Sequence, residues 1–256
     1  MKVICVIPAR MAASRFPGKP LKTLLGMSLI QHVYLRCRLF DEFDRVVVAT
    51  CDDAIAQNIR AVGGEAVMTA NTHERATDRV EEAIGNLNLN LDADDLVLMV
   101  QGDEILVTPD MLSRIVDEFR AKRPAVVNLI SRLYNEVDHN DANCVKVVAA
   151  PDGRILYFSR AAIPSRSRAP DAPIFQQTGI IAFRADFLHQ FSRLPQTPLE
   201  KIESCDMMRV LEHGLPISAI PSDHETIGVD TEADRARAEE RLRADPLTQK
   251  YLGRAQ

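Results

Sequence analysis

The chain predicts an α/β fold on a mainly parallel central sheet, and two observations carry the prediction. Short β-rich runs alternate with helix-patterned segments through the first half, which is the rhythm of βαβ units. The runs themselves, such as Val46-Val47-Val48 and Leu96-Val97-Leu98-Met99-Val100, are apolar throughout rather than alternating. That pattern suits strands covered on both faces by helices. The expected organisation is one unit over residues 1–256, with a small β-rich lid or dimerisation subdomain at approximately residues 125–185.

In order, Val3 to Ile7 reads as the first strand, and Leu29 to Leu39 has helical spacing. Arg45 to Ala49 predicts the second strand, followed by a helix over Asp53 to Val62 and a third strand over Glu65 to Met68. Arg79 to Leu87 is helical, Leu96 to Val100 is the fourth strand, and Met111 to Arg120 suits a helix. The middle then changes character. Val126 to Leu133, Cys144 to Ala149 and Ile155 to Phe158 are strand-like with short connections, and Asp152-Gly153 suits a hairpin turn. Pro164 to Pro173 is polar and proline-containing, and reads as a mobile loop. Gly179 to Phe183 predicts a strand, Leu199 to Glu212 a helix, Ile217 to Ala219 a short strand, and Thr231 to Leu242 a charged helix near the end.

Composition narrows the function classes. The net charge of −5 and the scattered cations do not make the basic face of a nucleic-acid binder. Five cysteines (Cys5, Cys37, Cys51, Cys144, Cys205) form an odd set with no C-x-x-C pair. That favours a reduced cytoplasmic protein over a disulfide scaffold or zinc site. The opening apolar run from Val3 is too short for a signal peptide or a membrane span.

The segment from Ile7 to Pro20 reads I-P-A-R-M-A-A-S-R-F-P-G-K-P and follows the first strand directly. It gathers Arg10, Arg15 and Lys19 in one turn-rich loop at a strand's carboxyl end, where open α/β sheets place their ligands. Lys and Arg bind phosphate by charge-assisted hydrogen bonds. A solvated basic loop is the bland alternative. Three cations among the small residues Ala12, Ala13 and Ser14 weigh toward a polyphosphate. Neither G-x-x-x-x-G-K-S/T nor G-x-G-x-x-G is present.

The fourth strand ends in Gln101-Gly102-Asp103-Glu104, and Ile227-Gly228-Val229-Asp230-Thr231 repeats the theme before a helix. Each aspartate alone also reads as a turn or capping residue. With a phosphate loop, the pair suggests phosphoryl or nucleotidyl transfer, since Mg2+ commonly uses one or two carboxylates plus substrate phosphates.

These segments resemble the 3-deoxy-manno-octulosonate (Kdo) cytidylyltransferases, the CMP-Kdo synthetases. The resemblance covers almost the whole chain and includes the first loop, Thr77-Asp78-Arg79, Gln101-Gly102-Asp103-Glu104, Val145-Lys146-Val147-Val148, Tyr157-Phe158-Ser159-Arg160-Ala161 and Gly228-Val229-Asp230-Thr231. It implies a Rossmann-like nucleotidyltransferase fold, a homodimer, CTP as substrate and Mg2+ as cofactor. By the same resemblance Arg10, Arg15 and Lys19 would hold the triphosphate, Gln101 would contact the nucleotide, and Asp103 and Asp230 would hold the metal. Met68, Thr69, Arg75, Ala76, Thr77 and Arg79 would surround cytosine. The family's Ser-Gly-Thr-Asp/Glu-Arg reads Arg75-Ala76-Thr77-Asp78-Arg79 here. The reaction implied is attack of an acceptor oxygen on the α-phosphorus of CTP, with pyrophosphate leaving.

The acceptor side departs from the family pattern. Where the family has Arg/Lys-His-x-Gly-Ile/Val-Tyr, this chain has Gln176-Gln177-Thr178-Gly179-Ile180-Ile181. Leu-Glu-Gln-Leu-Arg becomes Cys205-Asp206-Met207-Met208-Arg209. Gln176, Gln177, Ile181 and Asp206 are therefore expected to line an altered acceptor pocket. A non-Kdo acid, whether a modified ulosonic acid or a small phosphonate such as phosphonoformate, is one alternative. A catalytically silent nucleotide-binding relative is another.

Overall fold

The computed structural model describes residues 1–12 and 16–253, so the predicted triphosphate ligand Arg15 lies outside the described residues. The chain opens with β1 (Val3–Ala9), buried at every position. A 3-10 turn at Lys19–Leu21 leads into a hairpin of β2 (Thr23–Leu24) and β3 (Met27–Ser28). Ser28 then caps α1 (Leu29–Cys37): its hydroxyl accepts from the Gln31 N–H, and the Gln31 side chain accepts from the Ser28 N–H. The alternating half continues through β4 (Arg45–Thr50), α2 (Asp53–Arg60), β5 (Glu65–Met68), α3 (Ala76–Asn86), β6 (Leu96–Val100) and α4 (Pro109–Lys122). β1 lies parallel to both β4 and β6, and β4 lies parallel to β5, as the uninterrupted apolar runs predict.

The second half abandons the alternation. It runs β7 (Val126–Leu133), α5 (Glu136–Asn140), β8 (Lys146–Ala149), β9 (Ile155–Ser159) and β10 (Ile174–Arg184). Then come α6 (Ala185–Phe191), α7 (Pro198–Glu203), α8 (Met207–Glu212), β11 (Ser218–Ser222), α9 (Glu232–Ala244) and α10 (Pro246–Leu252). β10 is antiparallel to β6 on one side and β7 on the other, and its first residues also pair with β8. The β8–β9 hairpin hangs from that end, and β11 joins β7 in parallel at the sheet's edge. The strand order is β11-β7-β10-β6-β1-β4-β5.

Side chains of β1 divide by the two-residue period of a strand. Val3, Cys5 and Ile7 enter one apolar cluster with α1, α2 and α4, while Ile4 and Val6 enter a second with α3, α6 and α8. The sheet is therefore covered on both faces, and the carboxyl ends of β1, β4 and β6 share one edge.

Two expectations are corrected. The strand expected at Gly179 to Phe183 begins at Ile174, because polar Gln176, Gln177 and Thr178 also lie in the ladder. The helix expected over Leu199 to Glu212 is two helices. Ser204 adopts a left-handed φ of 48° and ends the first, and Asp206 caps the second. Apolar spacing runs across this break, so periodicity alone reads through it.

Candidate active site

The site forms where the loops after β1 and β6 meet the approach to α9. Gly102 is required there by close packing: a Cβ on it would lie 3.0 Å from the Pro8 carbonyl oxygen and 3.1 Å from Ile30 Cδ1. The space thus belongs to the neighbouring strand end rather than to a ligand. An antiparallel bridge joins Glu104 to Gly228. That bridge is what brings the two distant aspartates of the sequence into one place. The Lys19 ammonium lies 2.6 Å from an Asp103 carboxylate oxygen and 2.9 Å from an Asp230 oxygen. Burial alone would lower the Lys19 pKa, but the charges of Asp103 and Asp230 and their hydrogen bonds outweigh it and hold the ammonium above its ordinary value.

Glu104 faces the other way. Burial, and then the charge of Asp103, push its carboxyl up to about 7, although the Gly179 N–H donates to it at 2.5 Å.

A cavity of about 410 Å³ opens in front of Lys19, lined by Arg10, Phe16, Arg75, Arg79 and Gln101 among others. Arg10 is exposed and donates to the His73 carbonyl at 3.1 Å. Arg75 caps the start of α3, and its Nη1 donates to the Ser204 hydroxyl at 3.1 Å. Arg75 Nε and Arg79 Nη2 are buried without a hydrogen-bond partner among the described residues. Arg75 Nε does lie 3.8 Å from the buried Glu200 carboxylate; buried donors left unpaired are costly, so Arg79 Nη2 marks where an oxygen-rich ligand would be held.

A second cavity, of about 500 Å³, shares Gln101, Asp103 and Asp230 with the first and continues past them to Gln176, Gln177 and Asp206. The two aspartates thus stand at the junction between the cavities. Arg160 also lines the second cavity, its backbone N–H donating to the Glu203 carboxylate at 2.8 Å and its guanidinium to the backbone carbonyls of Glu203, Ala142 and Ser204. Cys144 and Cys205 line it too, their thiols donating to the amide oxygens of Gln176 at 3.0 Å and Gln177 at 3.2 Å.

Of the residues expected from sequence, Arg10, Lys19, Arg75, Arg79, Gln101, Asp103 and Asp230 line the first cavity, and Gln176, Gln177 and Asp206 line the second. Four expected residues line neither. Met68 ends β5 with an exposed side chain, and the hydroxyl of Thr69 accepts from Arg79. The hydroxyl of Thr77 is turned to Asp206. Ile181 is buried in the apolar cluster beside Phe183 and its β6 partner Met99. Sequence reasoning did not single out Arg160, Cys144 or Cys205 as pocket residues. Arg160 stands next to a buried strand end, a signal that was available; the cysteines carried none.

With the geometry in place, comparison with known proteins is informative. A cytidylyltransferase family model matches residues 4–225. The chain belongs to the cytidylyltransferase family. Within the family, it is 41% identical over 254 residues to the 3-deoxy-manno-octulosonate cytidylyltransferase of Syntrophotalea carbinolica, covering 95% of this chain and 99% of that one. It is 43% identical over 237 residues to the enzyme of that name from Syntrophobacter fumaroxidans, covering 91% and 94% respectively. A solved structure of CMP:2-keto-3-deoxy-manno-octonic acid synthetase complexed with CTP superposes with a TM-score of 0.86 at 33% identity, covering 95% of this chain and 99% of that one. The chain is accordingly a nucleotidyltransferase enzyme with the fold expected of cytidylyltransferases. Among the described residues no helix is long and apolar enough to cross a membrane.

Proposed function

We propose that this protein transfers CMP from CTP to a hydroxylated sugar acid of the Kdo class, releasing pyrophosphate. The observation that carries the reading is the junction: Lys19, Asp103 and Asp230 converge where a nucleotide-sized cavity meets a polar one. In this reading CTP fills the first cavity. Arg10 and Lys19 hold its phosphates, Arg79 supplies an unpaired donor beside Arg75, and Gln101 stands beside the α-phosphate. The acceptor fills the second cavity, where the Arg160 guanidinium donates to backbone carbonyls and has no carboxylate partner among the described residues, so that its charge serves the acceptor's own carboxylate.

The carboxylates of Asp103 and Asp230 fit Mg2+ in kind, being hard oxygen donors, and in position, since an ammonium already bridges them. Bound there, the ion would neutralise charge on the reacting phosphates. The chain's own task is positioning. Lys19 stabilises charge on the phosphates, and Gln101 and the Asp103 backbone set the reacting centre against the acceptor hydroxyl. A homodimer with a lid over residues 125–185 is part of the same reading, by resemblance.

A silent relative is disfavoured, because every charged residue at the junction is present and paired. The test is pyrophosphate release from CTP with Mg2+ against Kdo, its 8-amino relative, other ulosonic acids and phosphonoformate. Turnover of Kdo or a related ulosonic acid supports the proposal. Release with none of them, or only with the phosphonate, sinks it.

A further inference from the structure

Asn128 lies in the middle of β7 and is wholly buried. It sits opposite Ile181, next to the irregularity where the β7–β10 register shifts. Such an irregularity takes backbone groups out of the ladder, and buried carbonyls need partners. Asn128 supplies them: its Nδ2 donates to the carbonyls of Leu129 at 3.0 Å, Thr178 at 3.1 Å and Ile180 at 3.2 Å. The orientation of this amide is therefore decided by chemistry, since turning it over would set an oxygen against three oxygens.

The consequence passes to the next side chain. With its nitrogen committed, Asn128 offers Oδ1, and Gln177 Nε2 donates to it at 3.1 Å. Gln177 must then turn its own carbonyl oxygen away from the buried side and toward the second cavity, where among the described residues it meets only the weak thiol donor of Cys205 at 3.2 Å. A carbonyl oxygen with two lone pairs and one weak donor has room for a second donor. The rest of the cavity wall has the same preference: among the described residues it carries seven carboxylates (Asp103, Glu104, Asp138, Asp141, Asp206, Asp230 and Asp234) against the guanidiniums of Arg160 and Arg237.

We propose that Asn128 is a positioning residue that fixes the Gln177 amide with its oxygen facing the acceptor, so that this part of the wall selects an acceptor presenting a hydroxyl or ammonium donor to that oxygen and rejects one presenting an oxyanion there, the acceptor's carboxylate being left to Arg160. The inference rests on the proposed transfer to a sugar acid and deepens it. It also separates the two kinds of alternative acceptor: modified ulosonic acids remain suitable, and small phosphonates do not.

The experiment compares pyrophosphate release from CTP with Kdo and with phosphonoformate, in the wild-type chain, Asn128→Ala and Gln177→Met. The wild type is expected to favour Kdo by at least about tenfold in kcat/KM, the scale of one misplaced hydrogen bond. Both variants are expected to raise the KM for Kdo by roughly tenfold while leaving the KM for CTP within about twofold. Wild-type preference for phosphonoformate, or a Gln177→Met variant with unchanged KM for Kdo, overturns the inference while leaving cytidylyl transfer intact. Absence of release with either acid and with the other ulosonic acids defeats the transfer reading itself. A readout that needs no turnover is the Gln177 side-chain amide in a ¹⁵N NMR spectrum. One of its protons is expected to exchange slowly in the wild type and rapidly in Asn128→Ala; rapid exchange in both overturns the proposal.

Discussion

The Thr77 hydroxyl donates to the Asp206 carboxylate at 2.6 Å, across 129 residues of sequence. Thr77 belongs to the first turn of α3, beside Arg75 on the wall of the first cavity, whereas Asp206 opens α8 on the wall of the second. The bond therefore ties the two half-sites together. Replacing Thr77 with Val removes the donor and keeps the shape. The loss of one such bond to a charged group is worth roughly 1.5–3 kcal/mol. Steady-state kinetics should show acceptor kcat/KM falling by about tenfold or more; an unchanged value would mean that Asp206 is held by other contacts.

Lys19 is the charge centre of the junction, and Lys19→Met leaves Asp103 and Asp230 facing each other without their shared cation. Loss of one electrostatic donor from a preorganised site costs about 10²–10³ in kcat. Pyrophosphate release at saturating CTP and Mg2+ measures it. Asp103→Asn and Asp230→Asn should each reduce the rate and raise the Mg2+ concentration needed for half-maximal activity. Near-normal Mg2+ dependence in either variant would remove that residue from the metal assignment.

Gly179 cannot carry a side chain. An added Cβ would lie 2.6 Å from Gln101 Cβ, and the Gly179 carbonyl accepts from the Gln101 N–H while its own N–H donates to the Glu104 carboxylate. Overpacking of this kind typically costs about 1–3 kcal/mol. Gly179→Ala should lower the urea midpoint and, by displacing Gln101, reduce activity further than the loss of folded protein explains.

Arg209 and Glu200 form a buried two-pronged pair at 2.6 and 2.8 Å, which pins α8 against α7. Removing one partner strands a buried charge, at a cost of about 3–5 kcal/mol. Arg209→Met should show this in denaturant unfolding, and Glu200→Gln should cost less because it keeps a hydrogen-bonding acceptor.

His32 is buried between the Tyr251 hydroxyl and the Leu24 carbonyl, each at 2.8 Å. Burial lowers its pKa below the ordinary 6.5, with the nearby Arg36 charge acting in the same direction and the Leu24 carbonyl opposing both. The unfolded chain thus binds a proton that the folded chain resists, so stability rises with pH through this window and is lost as pH falls below about 6.5. Thermal unfolding between pH 7 and pH 5 should show a steeper decline for the wild type than for His32→Asn. Parallel curves would place the acid sensitivity elsewhere.

Much of this architecture is legible in the residues because burial writes it there. Strands covered on both faces must be apolar at every position, and Leu96 to Val100 accordingly matches its strand residue for residue. The antiparallel β10 was harder to read. Its first half carries Gln176, Gln177 and Thr178, whose polarity serves the cavity and one another rather than the sheet. Local pattern cannot tell such residues from a loop. Ile181 is the reverse case: resemblance assigns it to the acceptor, and the fold packs it in the core opposite Met99. Lys19, Asp103 and Asp230 were each visible as residue types. Their convergence was not, since it depends on the Glu104–Gly228 bridge between segments 124 residues apart.

That convergence bears on the order in which the site assembles. A pair of carboxylates already tethered by an internal ammonium has its repulsion quenched before any ligand arrives. Such a pair has little attraction for a free divalent ion. In the proposed reading it would become a metal site once a triphosphate drew Lys19 to its own oxygens and exposed the two carboxylates together. Titration of the free chain with MgCl2 should therefore give little heat, and the same titration with CTP present should give a saturable signal. On this view the lysine acts as a gatekeeper: nucleotide and metal enter as one package, and an acceptor arriving first finds the centre switched off.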